Sequence, residues 1–372
     1  MDKEQVKYGK YTTPLRYVAL ASEWLRDYVD EKYIILDSSC GNGVFFASVW
    51  DFPNNRYLGF DIDDEVIREC RRKFPFVEFH QRNSLANISR ESYLIHPQSK
   101  LCIVGNPPYN DRTSAVKRKV KEKFDWVDTD VKRRDIGLSF LNSYYKIDAD
   151  VVVVIHPLSY LIKKTNRLGA SVFYGNYSLE RHIIFSSHRF EGTVGSNPFP
   201  VIMALYVKNR KGVGDVGEIE FETEEGDRFK LSNWDYIGNH ISKYPGKERY
   251  NPEILFWTMR DINALKRNKT FITTRSNSAV DVDPHKLGYY CYVDLFKRYA
   301  SVPYWMGNFD VPLPKDGIGY EHLLFFEHVG KKLNPAIFGD TGQPTAEEID
   351  EVKQYINQVV INGYGRKTYQ GS

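Results

Sequence analysis

The first half of this 372-residue chain alternates short apolar runs with stretches at helical spacing. Such alternation is typical of a doubly wound, mostly parallel α/β sheet of the Rossmann-like kind. Residues 151–155 are apolar throughout, as expected for a parallel strand that is covered on both faces. The five predicted strands of this domain are residues 33–36, 57–60, 77–79, 101–104 and 151–155.

The alternation ends after about Lys208, where residues 212–217 are rich in glycine. We therefore predict two domains, residues 1–210 and residues 211–372, and the second is expected to be of mixed α+β type. Near the end of the chain, Thr345 and Glu348 predict a capping box ahead of an amphipathic helix. At the start, Thr13 and Pro14 predict an N-cap and a helix that runs to about Val29.

Charge, cysteine usage and hydropathy argue against a polycationic, a metal-binding and a membrane-anchored protein. The net charge is only +3, so any surface for nucleic acid must be local. The four cysteines form no C-x-x-C pair, and no metal site is predicted. The chain starts with a polar segment and has no apolar run of about 20 residues, so we expect a cytoplasmic protein without a membrane anchor.

Two strand ends carry residues that suit a cofactor containing a nucleoside. The first predicted strand ends in Asp37 and is followed by the turn Gly41-Asn42-Gly43, which lets the backbone approach a ligand closely. About 20 residues further on, the second strand ends in Asp61, where a carboxylate can accept hydrogen bonds from ribose hydroxyls. The third glycine of the dinucleotide fingerprint and the lysine of a P-loop are both missing, so these elements do not say which cofactor binds.

The segment Asn106-Pro107-Pro108-Tyr109 follows the fourth predicted strand. Two prolines in succession fix a rigid extended turn. The Asn106 Oδ1 atom and the Pro107 carbonyl could accept the hydrogens of an aromatic amine, which would turn the nitrogen lone pair toward a methyl donor. Tyr109 could stack on the ring that carries this amine.

Together these segments resemble the N6-adenine DNA methyltransferases of the gamma type, over roughly residues 7–207. The resemblance includes residues 7–14, which end in Thr-Pro, residues 135–140 and residues 155–161. It implies S-adenosylmethionine as cofactor, double-stranded DNA as partner, base flipping, and a restriction-modification role with a separate cognate endonuclease. The cofactor-binding residues that it implies are Tyr11, Thr12, Thr13, Pro14, Asp37, Ser39, Cys40, Gly41, Gly43, Asp61, Ile62, Asn83, Ser84 and Asn106.

The chain departs from the family at one position, because Asn83 stands where an aspartate often contacts the cofactor's adenine amine. Asn83 Oδ1 can still accept that hydrogen bond. The family's second aromatic residue on the flipped base corresponds to Phe199 or Phe190, and we favour Phe199. His156 follows an apolar strand, and we interpret it as a hydrogen-bonded part of the scaffold.

Basic residues after the Asn-Pro-Pro-Tyr segment would meet phosphates that flank a flipped base. The residues expected at the DNA backbone are Arg112, Lys117, Arg118 and Lys119. A second basic cluster in the C-terminal domain comprises Arg260, Lys266, Arg267, Lys269 and Arg275. Three other targets stay open from the sequence, namely the N4 amine of cytosine, adenine in RNA and the side chain of protein glutamine.

Overall fold

The computed structural model describes residues 12–109, 126–191, 197–246 and 254–366. The predictions for Tyr11 and for Arg112, Lys117, Arg118 and Lys119 lie outside these ranges. The chain divides into two compact units, Met1–Val216 and Gly217–Ser372. This division lies six residues beyond the boundary expected at 210, because residues 211–216 belong with the first unit. Val213 N, for example, donates a hydrogen bond to Tyr174 O at 2.9 Å.

The first unit is built around one seven-stranded sheet. Its strands are β1 (Tyr33–Asp37), β2 (Arg56–Asp61), β3 (Glu78–Gln81), β4 (Lys100–Gly105), β5 (Val151–Pro157), β6 (Tyr177–Ser186) and β7 (Pro200–Lys208). Its α-helices are α1 (Leu15–Leu25), α2 (Asp64–Lys73), α3 (Ile136–Lys146), α4 (Ser159–Ile162), α5 (Lys164–Gly169) and α6 (Ser171–Asn176).

The strand order is β3-β2-β1-β4-β5-β7-β6. Strands β1 to β5 are parallel to their neighbours, whereas β7 runs antiparallel to both β5 and β6. The chain order reverses between β1 and β4, and in open α/β sheets ligands bind beyond the carboxyl ends of the strands at this point. The predicted doubly wound, mostly parallel sheet is thus confirmed.

Helix α1 differs from its prediction at both ends. Pro14, not Thr13, occupies the N-cap position, and no side chain caps the helix. The helix ends at Leu25, because residues 26–28 form a turn. Tyr17, Val18 and Ala21 are buried in the main core of the unit, so packing rather than capping fixes the helix in place.

The second unit is mixed α+β, as predicted. Its described residues form three small sheets, ordered β10-β14, β12-β11-β13 and β15-β9-β8. Its strands are β8 (Phe221–Glu222), β9 (Asp227–Phe229), β10 (Asp235–Tyr236), β11 (Leu255–Trp257), β12 (Phe271–Ile272), β13 (Ala279–Asp281), β14 (Pro312–Leu313) and β15 (Tyr364–Arg366). Its α-helices are α7 (Ile262–Arg267), α8 (Leu287–Tyr299), α9 (Tyr320–Leu333), α10 (Pro335–Phe338) and α11 (Ala346–Asn362).

Aromatic side chains form much of the core of the second unit. The rings of Phe229 and Trp305 stack with centroids 4.1 Å apart. The Trp305 indole donates to Asp227 at 3.1 Å, and the Trp234 indole donates to Val359 O at 2.8 Å. These rings are therefore committed to the core and do not form a surface for stacking bases. Within the described ranges, no helix is long and apolar enough to cross a membrane.

Candidate active site at the carboxyl edge of the sheet

The loop after β1 is held by the end of β2. Gly41 N donates to Asp61 Oδ2 and Asp63 N donates to Asp61 Oδ1, each at 3.0 Å. Cys40 N donates to Phe60 O at 2.8 Å. Gly41 and Gly43 adopt φ angles of 50° and 74°, a backbone conformation that favours glycine. Asp61 therefore fixes the glycine loop at the carboxyl edge of the sheet.

The side chains around this loop differ in how accessible they are. Cys40 is buried in the core; its backbone N–H donates to Phe60 O on β2 and its carbonyl accepts from Gly43 N within the loop, so both backbone polar groups are already paired. Nothing lies within 4 Å of a Cβ atom placed on Gly41. Ile62 is 45% exposed and presents an apolar side chain next to Asp61.

Asp37 is almost completely buried at the end of β1. Its Oδ1 atom accepts a hydrogen bond from Ser39 N at 3.0 Å. A Cβ atom at Gly105, which ends the neighbouring strand β4, would lie only 3.0 Å from the same oxygen. Burial, aided by repulsion from Asp61, raises the pKa of Asp37 to about 8, and the Ser39 N–H opposes this rise. The end of β1, which leads into the glycine loop, and the residue before Asn106 are thus in direct proximity.

The Asn106 carboxamide has a hydroxyl group on either side. Its Nδ2 atom donates to Thr13 Oγ1 at 3.1 Å, although the two residues are 93 positions apart. Its Oδ1 atom accepts a hydrogen bond from the Tyr109 hydroxyl. Thr13 is buried, whereas Asn106 and Tyr109 are half-buried. The predicted amine acceptor is therefore occupied by Tyr109 in this structure.

Asn83 and Ser84 follow β3 on the other side of the loop. Asn83 Oδ1 accepts from Leu85 N at 3.0 Å, and Asn83 Nδ2 donates to Trp126 O at 3.1 Å. The Trp126 side chain is 74% exposed. Among the described residues, the buried hydroxyls of Ser39 and Ser84 have no hydrogen-bond partner. Both oxygens are shielded from solvent and have no partner within the described part of the protein.

A carboxyl–tyrosine pair connects α3 to α4. Asp135 Oδ1 accepts from the Tyr160 hydroxyl and from Gly137 N, the latter at 3.0 Å. A Cβ atom at Gly137 would lie 2.6 Å from the Tyr160 hydroxyl, so the pair requires glycine here. Burial, followed by Asp135 and then Tyr109, raises the pKa of Tyr160 well above its usual value. The segments 135–140 and 155–161 thus meet beside the Asn106 loop.

The two aromatic candidates for base stacking have different surroundings. Phe190 is completely buried and packs edge-on against Phe185, so its ring belongs to the core. Phe199 is half-buried and directly precedes β7, whose first residues pair with the end of β5. Its backbone N–H donates to Ser187 Oγ at 3.1 Å. Of the two, Phe199 is the one that is not fully buried, and it packs against the same core where β7 begins.

His156 is fully buried. Its Nδ1 atom lies 2.9 Å from Pro157 O and its Nε2 atom 3.0 Å from the Tyr206 hydroxyl. A carbonyl only accepts hydrogen bonds, so Nδ1–H donates and Nε2 accepts. Burial lowers the pKa of His156 to about 4, so the ring is neutral at pH 7. It is part of the scaffold, as the sequence predicted.

Sequence reasoning missed three contributions to this site. They are the orientation of Asn106 by Thr13, the packing of Gly105 against Asp37, and the Asp135–Tyr160 pair. The sequence showed that Thr13 is a polar residue just before a helix. It could not show that the partner of Thr13 is Asn106, 93 positions away. Across the described part of the chain, no group of three or more His, Cys, Asp or Glu side chains is arranged to hold a metal ion.

Comparisons with known proteins report the following. No protein-family model and no curated protein matches the chain. Among solved structures, a proposed class I S-adenosylmethionine-dependent methyltransferase from Listeria monocytogenes has a TM-score of 0.42 and 14% identity, covering 57% of this chain and 65% of that chain. A proposed RNA methyltransferase from Pyrococcus horikoshii has a TM-score of 0.36 and 14% identity, covering 56% and 92%. A 23S rRNA methyltransferase has a TM-score of 0.33 and 13% identity, covering 55% and 72%.

These likenesses are distant, and the assignment of the fold rests on the strand order and directions described above.

Proposed function

We propose that this chain is an S-adenosylmethionine-dependent methyltransferase that modifies the N6 amine of a flipped adenine in a specific DNA sequence. One observation carries the proposal. Asn106 stands at the end of β4 with its carboxamide held by Thr13, directly beside the loop of Asp37. An amine acceptor and a cofactor loop are thereby brought to one sheet edge.

The residues present fit such a cofactor. The open turn at Gly41 gives a ligand access to the backbone, and the carboxylate of Asp61 can accept from ribose hydroxyls. The exposed Ile62 side chain offers an apolar face to the adenine ring, and the unpartnered hydroxyls of Ser39 and Ser84 supply polar contacts. When bound, S-adenosylmethionine supplies an electrophilic methyl group on a sulfonium sulfur.

The protein's task is to make a weakly nucleophilic amine reactive. Asn106 Oδ1 and the Pro107 carbonyl accept the two amine hydrogens, which directs the nitrogen lone pair toward the methyl carbon. The rigid Pro107-Pro108 turn keeps these acceptors in place. Transfer of that methyl group would leave the nitrogen cationic, and the amine could then release a proton to solvent, so no side chain has to remove that proton beforehand. Positioning supplies much of the rate enhancement.

The base itself requires two flat surfaces. Tyr109 provides one ring after its hydroxyl leaves Asn106 Oδ1, and Phe199 provides the opposite one. Stacking of a base on an aromatic side chain contributes about 1–3 kcal/mol. The methyl transfer does not need a general base that removes a proton from the amine beforehand. This agrees with His156, which is buried and neutral.

The experiment is methyl transfer from radiolabelled S-adenosylmethionine to unmethylated bacterial DNA, followed by digestion to nucleosides. We expect label in N6-methyladenine, and a loss of at least about 100-fold in kcat for Asn106→Ala, because the acceptor is used in the transition state. A Lys315→Gln variant, which changes an exposed side chain on the second unit, is the matched control.

Label in N4-methylcytosine would overturn the base while it keeps the amine chemistry. Label only in RNA or in protein glutamine would overturn DNA as the substrate. Full activity of Asn106→Ala would overturn the proposed role of the Asn106 carboxamide.

A further inference from the structure

We propose that the Thr13 hydroxyl is a positioning group for Asn106. It determines that the oxygen end of the carboxamide, and not the nitrogen end, meets the substrate amine. The proposal rests on the function proposed above and deepens it. The resemblance implies that Thr13 belongs to a segment that binds the cofactor. The geometry points to a different use of its hydroxyl.

The two ends of a carboxamide have opposite hydrogen-bonding capacity. The nitrogen only donates and the oxygen only accepts. An amine substrate must meet the oxygen, because a meeting of two donors would leave both unsatisfied. The Thr13 Oγ1 atom accepts from Asn106 Nδ2 at 3.1 Å and so turns Oδ1 to the other side, where it accepts from Tyr109.

Thr13 is a suitable fixed point because the helix that follows it is firmly packed. Thr13 is only 3% exposed. Two residues later α1 begins, and the Tyr17 ring of that helix stacks on Phe185 with centroids 3.9 Å apart. The hydroxyl is thereby held by the core of the unit, whereas Asn106 stands in a loop after β4.

Tyr109 completes the arrangement from the substrate side. Its hydroxyl donates to Oδ1 as a substrate amine would. When a base enters, this donor is exchanged for the amine, while the bond from Nδ2 to Thr13 stays in place. Thr13 is therefore the partner that Asn106 keeps, and Tyr109 is the partner that the substrate amine replaces.

The test compares Thr13→Val, which keeps the branched shape but accepts no hydrogen bond, with Thr13→Ser, which keeps the hydroxyl. We expect Thr13→Val to lower kcat by about 10- to 100-fold, the scale of a slightly misplaced reacting group. Its dissociation constant for S-adenosylmethionine, measured by calorimetry, should stay within about 3-fold of the wild type. Thr13→Ser should restore most of kcat.

A double-mutant comparison separates positioning from a general loss of structure. In an Asn106→Ala background, Thr13→Val should cost no further activity, because its partner is already missing. Weaker cofactor binding with an unchanged kcat would overturn the proposal and return the Thr13 hydroxyl to the cofactor. An equal loss in both backgrounds would also overturn it.

A crystal structure of Thr13→Val provides a readout that does not depend on the substrate. We expect the Asn106 carboxamide to rotate or to occupy two orientations, and an unchanged carboxamide would contradict the proposal. A wild-type protein that methylates no adenine would defeat the proposed function alone. The crystal structure would still decide whether Thr13 orients Asn106.

Discussion

At the scale of single residues, the site depends on a competition for one oxygen atom. Asn106 Oδ1 accepts the Tyr109 hydroxyl in this structure, and the proposed chemistry requires it to accept an amine. Hydrogen bonds exchanged between similar donors change the free energy little, since one donor replaces another. The Tyr109 hydroxyl and the Tyr109 ring should therefore contribute very differently to turnover.

We expect Tyr109→Phe to retain kcat within about 5-fold, because the aromatic ring that stacks on the base is kept. The KM for DNA should stay equal or fall, because no hydroxyl has to leave Asn106. Tyr109→Ala should lose about 10- to 100-fold in kcat/KM, which corresponds to the loss of one stacked base. Steady-state kinetics on a short duplex measures both variants. A Phe variant as impaired as the Ala variant would show that the hydroxyl, not the ring, carries the function.

The residues whose positions could be predicted at this scale are those that end or follow a strand. Asp37, Asp61 and Asn106 each end or follow a strand, and parallel strands bring their carboxyl ends together. The Thr13 contact could not be predicted, because it depends on where α1 packs. The motif predicted that the Tyr109 ring stacks on the target base. It did not predict that the Tyr109 hydroxyl donates a hydrogen bond to Asn106 Oδ1.

At the scale of elements, the contact between the ends of β1 and β4 buries the carboxyl group of Asp37, and burial disfavours the charged form of this group. Asp37 is 2% exposed, and Gly105 leaves just enough room for its carboxyl group. Burial raises its pKa to about 8, from 3.8 for the unperturbed group. The protonated form is therefore favoured in the folded protein without a ligand, and ionisation works against the fold.

This shift predicts how stability depends on pH. Because the folded pKa lies above the unfolded one, the contribution of Asp37 to the free energy of unfolding is full below pH 4 and is lost as the pH rises through 8. Between pH 6 and 8 the loss is about 2 kcal/mol, at about 1.4 kcal/mol per pKa unit. Urea unfolding without cofactor at several pH values measures it. Asp37→Asn can still accept from Ser39 N and carries no charge, so it should lose less stability over this range. Parallel pH curves for the two proteins would contradict the expected shift.

Elements with strong local signals were predicted well. The capping box of α11 is present, with Thr345 Oγ1 accepting from Glu348 N at 3.2 Å and Glu348 accepting from Thr345 N at 2.8 Å. The start of α1 was predicted less well, since Thr13 is used by Asn106 instead of by the helix. Antiparallel β7 carries no distinct sequence signal, because a fully buried strand is apolar in either direction.

At the scale of the whole molecule, the two units have different kinds of interior. The first unit buries an apolar sheet, and the second buries many of its aromatic rings. The high aromatic content of the sequence therefore serves packing to a large degree. We propose that any contact of the second unit with nucleic acid depends on local surface charge and not on these buried rings.

The exposed basic residues around α7 are the part of the second unit that we expect to contact DNA. Arg260, Lys266, Arg267 and Lys269 are exposed, whereas Arg275 pairs with Asp281 at 2.8 Å. Arg275 is thus less suited to phosphate binding than the other four members of the predicted cluster. A contact with a phosphate releases counterions, so its loss should change the salt dependence of binding as well as the affinity.

A double variant, Arg267→Gln with Lys269→Gln, tests this surface. We expect weaker DNA binding for all sequences and a slope of log K against log salt that is shallower by about 2, since each phosphate contact contributes about 0.9. Fluorescence anisotropy with a labelled duplex at several salt concentrations measures both quantities. The control variant, Lys315→Gln with Lys353→Gln, removes the same charge from the turn after β14 and from α11, and it should leave the slope unchanged. Equal effects of the two variants would mean that net charge, not a localised surface around α7, attracts the DNA.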